Sequence, residues 1–157
     1  MKQVVELNVN GEVHEVLVES HRTLLEVLRE HIGLTGAKEA CDTGECGACA
    51  VLMDGIPVNA CLVLALDARG KKIRTIEGLE ENGKLHPLQK AFMEHGATQC
   101  GFCTPGMIIT AKAFLDENPK PTKQEIRRAI SGNLCRCTGY AKIVEAVQAV
   151  SEEGGRR

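Results

Sequence analysis

The chain has 157 residues with 19 Lys and Arg against 21 Asp and Glu, a formal charge of −2 that disfavours a phosphate-backbone partner. Its aromatic side chains are only Phe92, Phe102, Phe114 and Tyr140, too few to stack on single-stranded nucleic acid. No run approaches the ~20 apolar residues of a membrane span, and residues 1–7 alternate in polarity where a secretory signal needs an unbroken apolar stretch, so the expected location is cytoplasmic.

Residues 4–9 alternate apolar and polar side chains, Asn10-Gly11 is a hairpin turn, and residues 13–18 supply a return strand. Residues 23–32 repeat apolar positions at helical spacing and stop at Gly33. A cysteine loop over 41–49 follows. Residues 50–53, the turn Asp54-Gly55 and residues 56–62 read as a second hairpin, with Pro57 confining its strand to an edge, and residues 72–76 add a last strand. These elements make a small α+β unit over 1–77.

Residues 78–84, rich in glycine and charge, read as a linker. Everything beyond reads as helix. The first spans 87–95. The second is opened by a Thr104 cap with Pro105 at its first position and stopped by Asn118-Pro119. The third begins at the capping box Thr122-Lys123-Gln124-Glu125 and continues through Ile126, Ala129 and Ile130. The fourth covers 139–151, and 152–157 read as a frayed tail. The expected fold class is therefore α+β, an N-terminal sheet-and-helix domain followed by an all-α four-helix domain over 85–157. At roughly 75 residues each, such modules have thin cores that metal clips would help to stabilise.

The eight cysteines divide between the two units. Cys41, Cys46 and Cys49 form C-x4-C-x2-C, with Cys61 beyond, the three-cysteine run of a plant-type [2Fe–2S] site. Zinc prefers paired C-x2-C knuckles, and three cysteines in a glycine loop pack poorly as core thiols. Cys100 and Cys103, then Cys135 and Cys137, read C-x2-C and C-x-C, which taken alone would also suit zinc or a redox-active thiol pair. Cys103 next to a helix start and the Cys135/Cys137 pair between two helices bring a positive helix end near an anionic centre. His14, His21, His31, His86 and His95 make no motif with the cysteines and read as surface or local hydrogen-bonding residues. Gly44-Glu45-Cys46-Gly47 has neither dinucleotide nor P-loop spacing, Asp42 and Glu45 read as solvated carboxylates, and no nucleophile–base pair is apparent. Arg136, between two cysteines, would offset the charge of a cluster.

Four segments together resemble the small, two-[2Fe–2S] subunit of bacterial molybdenum hydroxylases, the xanthine oxidase superfamily. They are Gly36-Ala37-Lys38, Cys41-Asp42-Thr43-Gly44-Glu45-Cys46-Gly47-Ala48-Cys49, Gln99-Cys100-Gly101-Phe102-Cys103-Thr104-Pro105-Gly106-Met107 and Gly132-Asn133-Leu134-Cys135-Arg136-Cys137-Thr138-Gly139-Tyr140. The resemblance covers nearly the whole chain, and its last two segments make the second cysteine group a cluster site.

The resemblance implies a β-grasp, ferredoxin-like domain and a helical domain. Cys41, Cys46, Cys49 and Cys61 would hold a first [2Fe–2S] cluster, and Cys100, Cys103, Cys135 and Cys137 a second. It implies a large partner subunit carrying molybdopterin, as its cytosine dinucleotide, and a medium subunit carrying FAD, assembled as a dimer of heterotrimers. Gln99 and Cys137 would approach the pterin. Electrons from a hydroxylation whose oxygen comes from water would pass one at a time through the second cluster and then the first to FAD. The alternatives are a free-standing two-cluster carrier and a zinc-stabilised interaction module.

Overall fold

The computed structural model describes residues 1–154. Strands β1 (Lys2–Val9) and β2 (Glu12–Glu19) pair antiparallel around Asn10-Gly11, whose φ values of 54° and 84° match the twist of a two-residue hairpin. Alternation buries Val5, Leu7 and Val9 on one face of β1 and leaves Val4 opposite Leu17, both exposed, on the other. β3 (Ala50–Met53) and β4 (Ile56–Asn59) form the second hairpin. β5 (Lys72–Arg74) lies between the hairpins, parallel to β1 and antiparallel to β3. The mixed sheet runs β2-β1-β5-β3-β4, which puts Pro57 on an edge strand, where a residue without an N–H is tolerated.

Two strands are shorter than their sequence patterns. After β4 the chain winds into a 3-10 turn, Ala60–Leu62, that carries Cys61 inward. β5 stops at Arg74 because Thr75 turns to Asn10: Asn10 Nδ2 donates to Thr75 Oγ1 and Thr75 N–H to Asn10 Oδ1, each at 2.9 Å.

The first helix begins as α1 (Leu24–Glu26), closed by a reciprocal capping box in which Glu26 N–H donates to Thr23 Oγ1 and Thr23 N–H to the Glu26 carboxylate. Over Val27–His31 it widens into a π turn, Ile32 N–H reaching back to Val27 O. From this turn Arg29 Nη1 donates to the carbonyls of Thr35 and Ala37 at 2.9 and 2.8 Å and so tethers the approach to the cysteine loop.

The second half consists of α2 (Pro87–Glu94), α3 (Thr104–Glu117), α4 (Lys123–Ala129) and α5 (Ala141–Glu152). The expected cap of α3 moves by one residue: Thr104 is already helical and Cys103 holds the cap position, with no side-chain cap bond. α2 is capped by His86, whose Nδ1 accepts from Leu88 N–H at 3.2 Å while Gln89 closes back on the His86 amide. α5 opens later than its sequence pattern because Gly139 and Tyr140, at φ 65° and 69°, cannot be helical. Of the expected tail, Glu152 is helical and residues 155–157 lie outside the described residues.

The Thr122–Glu125 capping box is formed as expected, with hydrogen bonds of 2.7 and 3.3 Å between the two residues' backbone N–H groups and side chains. Thr122→Ala is expected to cost about 1 kcal/mol in thermal unfolding of the loaded protein. Hydrogen bonds from the Thr122 amide and then its hydroxyl hold the Glu125 carboxyl below its ordinary value. That contribution is present above the unfolded carboxylate pKa and is lost as pH falls through the lower folded value.

Two apolar clusters result. One lies between the sheet and the first helix, with Val5, Leu7, Val9, Val51 and Ile73 against Leu24, Leu25, Val27 and Leu28. The other fills the helical half around Phe92, Met107, Ile109, Ile126, Ile143 and Val147. β3 serves both, Val51 facing the first and Ala50 and Leu52 the second. The segment expected as a linker is anchored at its start, Leu79 being 1% exposed within the helical cluster. Among the described residues no helix is long and apolar enough to cross a membrane.

Candidate functional site

Cys41, Cys46 and Cys49 share a loop that is bent tightly by left-handed Asp42, Gly44 and Gly47. This curvature turns amides toward sulfur. The N–H groups of Thr43 and Cys46 approach Cys41 Sγ at 3.5 and 3.4 Å, and that of Ala48 approaches Cys46 Sγ at 3.5 Å. Hydrogen bonds from the Thr43 side chain, then the Thr43 and Cys46 amides, lower the Cys41 pKa to about 6, so it is a thiolate at neutral pH, the form that takes a metal. Cys49 is buried, and burial pushes its thiol up to about 12. It hydrogen-bonds Cys61, which the Ala60–Leu62 turn delivers to it from beyond the second hairpin.

Cys100 and Cys103 flank the Gly101 turn at the start of α3, and Cys135 and Cys137 lie between α4 and α5. Burial pushes the Cys103 thiol up to about 12, and the hydrogen bond with Cys135 adds to the rise. Cys137 is raised chiefly by its hydrogen bond with Cys100. Burial would raise Cys135 too, but hydrogen bonds from the Thr138 side chain and amide, then from Cys137 and Cys103, outweigh it and leave the thiol below its ordinary value. The cap position of Cys103 sets it at the positive end of the 14-residue α3.

Six of the eight thiols meet in pairs, Cys49 with Cys61, Cys100 with Cys137 and Cys103 with Cys135, while Cys41 and Cys46 face amides of their own loop. Among the described residues no three Cys, His, Asp or Glu side chains stand close enough together to hold one ion. Paired thiols with amides aimed at their sulfurs fit a two-iron cluster, in which each iron takes two cysteines. The loop is closed against added bulk at Gly47, where a Cβ would stand 2.5 Å from the Gly132 carbonyl oxygen.

The two groups meet directly. Leu134 N–H, next to Cys135, donates to Cys46 O at 2.9 Å. The buried Asn133 Nδ2 donates to Gly47 O at 3.1 Å. A Cβ on Gly106, three residues after Cys103, would lie 2.2 Å from that same Gly47 oxygen. Asn133, Leu134 and Gly106 fall inside the quoted sequence segments, but their role in joining the halves had no signal in spacing. Gln99, Cys100, Phe102, Leu134, Arg136 and Cys137 are all exposed along the outer rim of the second group, and Asp42 and Glu45 are exposed at the first.

Residues 7–72 match the family described as a 2Fe-2S iron-sulfur cluster binding domain, and residues 75–148 the family described as a [2Fe-2S] binding domain. The chain is 54% identical to the small FeS subunit of nicotinate dehydrogenase from Eubacterium barkeri, over 96% of each chain. It is 52% identical to the small subunit of nicotine 6-hydroxylase from Paenarthrobacter nicotinovorans, over 91% of this chain and 86% of that one. Among solved structures, a chain of quinoline 2-oxidoreductase from Pseudomonas putida 86 superposes with a TM-score of 0.92 at 45% identity, covering 98% of both. Two iron–sulfur binding domains in one chain define an electron-transfer protein. The chain belongs to the small [2Fe–2S] subunits of the molybdenum hydroxylases, the group of xanthine dehydrogenase and aldehyde oxidoreductase, and is thus the iron–sulfur part of an oxidoreductase.

Proposed function

We propose that this subunit conducts electrons from a molybdenum–pterin centre on a large partner subunit to FAD on a medium one. In this reading Cys100, Cys103, Cys135 and Cys137 hold the [2Fe–2S] cluster that receives each electron, and Cys41, Cys46, Cys49 and Cys61 hold the cluster that passes it on. The observation that carries it is the hydrogen bond from Leu134 N–H to Cys46 O at 2.9 Å, which joins the backbone next to one ligand of the second cluster to the backbone of a ligand of the first.

The exposed rim suits the two ends. Gln99 and Cys137 are open to a pterin, held as molybdopterin cytosine dinucleotide, and the Cys41 loop is open to the flavin side. The hydroxylation supplies two electrons, which this chain takes singly. Its own residues supply the thiolates, the amides that stabilise them, the water-poor setting of Cys49 and the partly buried one of Cys103. The division is a β-grasp, ferredoxin-like domain over 1–77, a linker over 78–84 and a helical domain over 85–157, within a cytoplasmic dimer of heterotrimers. Choice of substrate belongs to the large subunit.

Metal analysis of the purified chain is expected to find about four iron and about four acid-labile sulfide per chain. Zinc without sulfide would rule the reading out. Purification from its native host should yield molybdenum- and flavin-containing chains in stoichiometric complex; a lone, redox-active chain would instead be a free-standing carrier.

A further inference from the structure

Thr138 follows the last cysteine and is not among the candidate ligands. Its Oγ1 donates to Cys135 Sγ at 3.1 Å, beside its own N–H at 3.4 Å. The same oxygen accepts Tyr140 N–H at 3.2 Å, which occupies a lone pair and leaves the hydroxyl proton for the sulfur. Tyr140 then accepts Cys135 N–H on its phenol oxygen at 2.9 Å, closing a clasp of three residues. To do so it stands at φ 69°, a left-handed conformation that is costly for an aromatic residue and persists only where its surroundings enforce it.

We propose that the Thr138 hydroxyl, oriented by Tyr140, is a positioning group that raises the reduction potential of the second centre through its hydrogen bond to Cys135. One added electron increases the negative charge on the cluster and its thiolates. A donor fixed on one of those sulfurs therefore stabilises the reduced state more than the oxidised one. The effect is to make the centre facing the large subunit a readier acceptor of the electron that subunit delivers. The inference rests on the ligand reading above.

The test is a redox titration of the assembled complex, followed by electron paramagnetic resonance. Thr138→Val keeps the shape and removes the hydroxyl. It is expected to shift the reduction equilibrium of the second centre toward the oxidised form by up to about tenfold, which for one electron is about 59 mV, with the first centre unmoved. Thr138→Ser should restore the wild-type value. Should valine prevent assembly of the centre, the comparison becomes Ser against Ala: the potential is kept by Ser and lowered in Ala. Equal potentials in variants with and without the hydroxyl overturn the inference, as does loss of the centre from both Val and Ala, which would make the residue structural. A wild-type complex lacking two iron–sulfur signals would instead refute the ligand reading itself.

Discussion

Cys137→Ser is expected to reduce the iron content from about four to about two per chain and to remove one of two reduced paramagnetic signals. Serine offers a harder, more basic oxygen where the exposed Cys137 thiol pairs with Cys100. That pairing should hold one iron of the second cluster, so its loss opens the cluster to solvent. The first group lies in a separate loop with Cys41, Cys46, Cys49 and Cys61 intact, and its signal should survive. Transfer from molybdenum to flavin should stop, while reduction of the molybdenum centre by substrate should not. Two unchanged signals in the variant would show that Cys137 is not a ligand.

Gly47→Ala is expected to be the most damaging change of a non-cysteine residue. At φ 71° any side chain is strained by about 1–2 kcal/mol. A Cβ there would also stand 2.5 Å from Gly132 O and 2.6 Å from Asn133 Nδ2. Relief of that clash displaces Asn133, whose buried side-chain amide then loses the Gly47 carbonyl as its acceptor, a further cost of about 1–3 kcal/mol. For a chain of this size a total of about 3 kcal/mol corresponds to a fall in Tm of about 6–12 °C. Gly70 is the matched control, with the same φ of 71° and nothing within 4 Å of an added Cβ. Gly70→Ala should therefore show the backbone strain alone. Equal losses in the two loaded proteins would refute a role for Gly47 in the contact between the halves.

The parts of the fold governed by short-range rules were legible in the sequence. Asn10-Gly11 and Asp54-Gly55 demand hairpins, Pro57 demands an edge, and Thr122 with Glu125 demands a helix start; each is formed. The cysteine spacing was equally local within each loop. What escaped the sequence depends on contacts between distant segments. Thr104 looked like a cap because threonine caps helices, but the turn at Gly101 brings Cys103 to the cap position instead. The widened turn after Glu26 retains the apolar spacing of an ordinary helix and so leaves no mark on it. Leu79 stands among charged neighbours that give no sign of its burial, which comes from the helical cluster packed over it. The meeting of Leu134 with Cys46 spans most of the chain, and no periodicity encodes it.

A strand whose two faces belong to different clusters also bears on how the molecule comes apart. Ala50 and Leu52 cannot leave the helical cluster without disturbing Val51, one residue away, in the other. Amide hydrogen exchange in β3 should therefore proceed only through opening of both halves, and damage to either iron site should be registered in the protection of the opposite half. A chain built around such a shared strand is expected to unfold as a single cooperative unit, neither cluster opening without loosening the other.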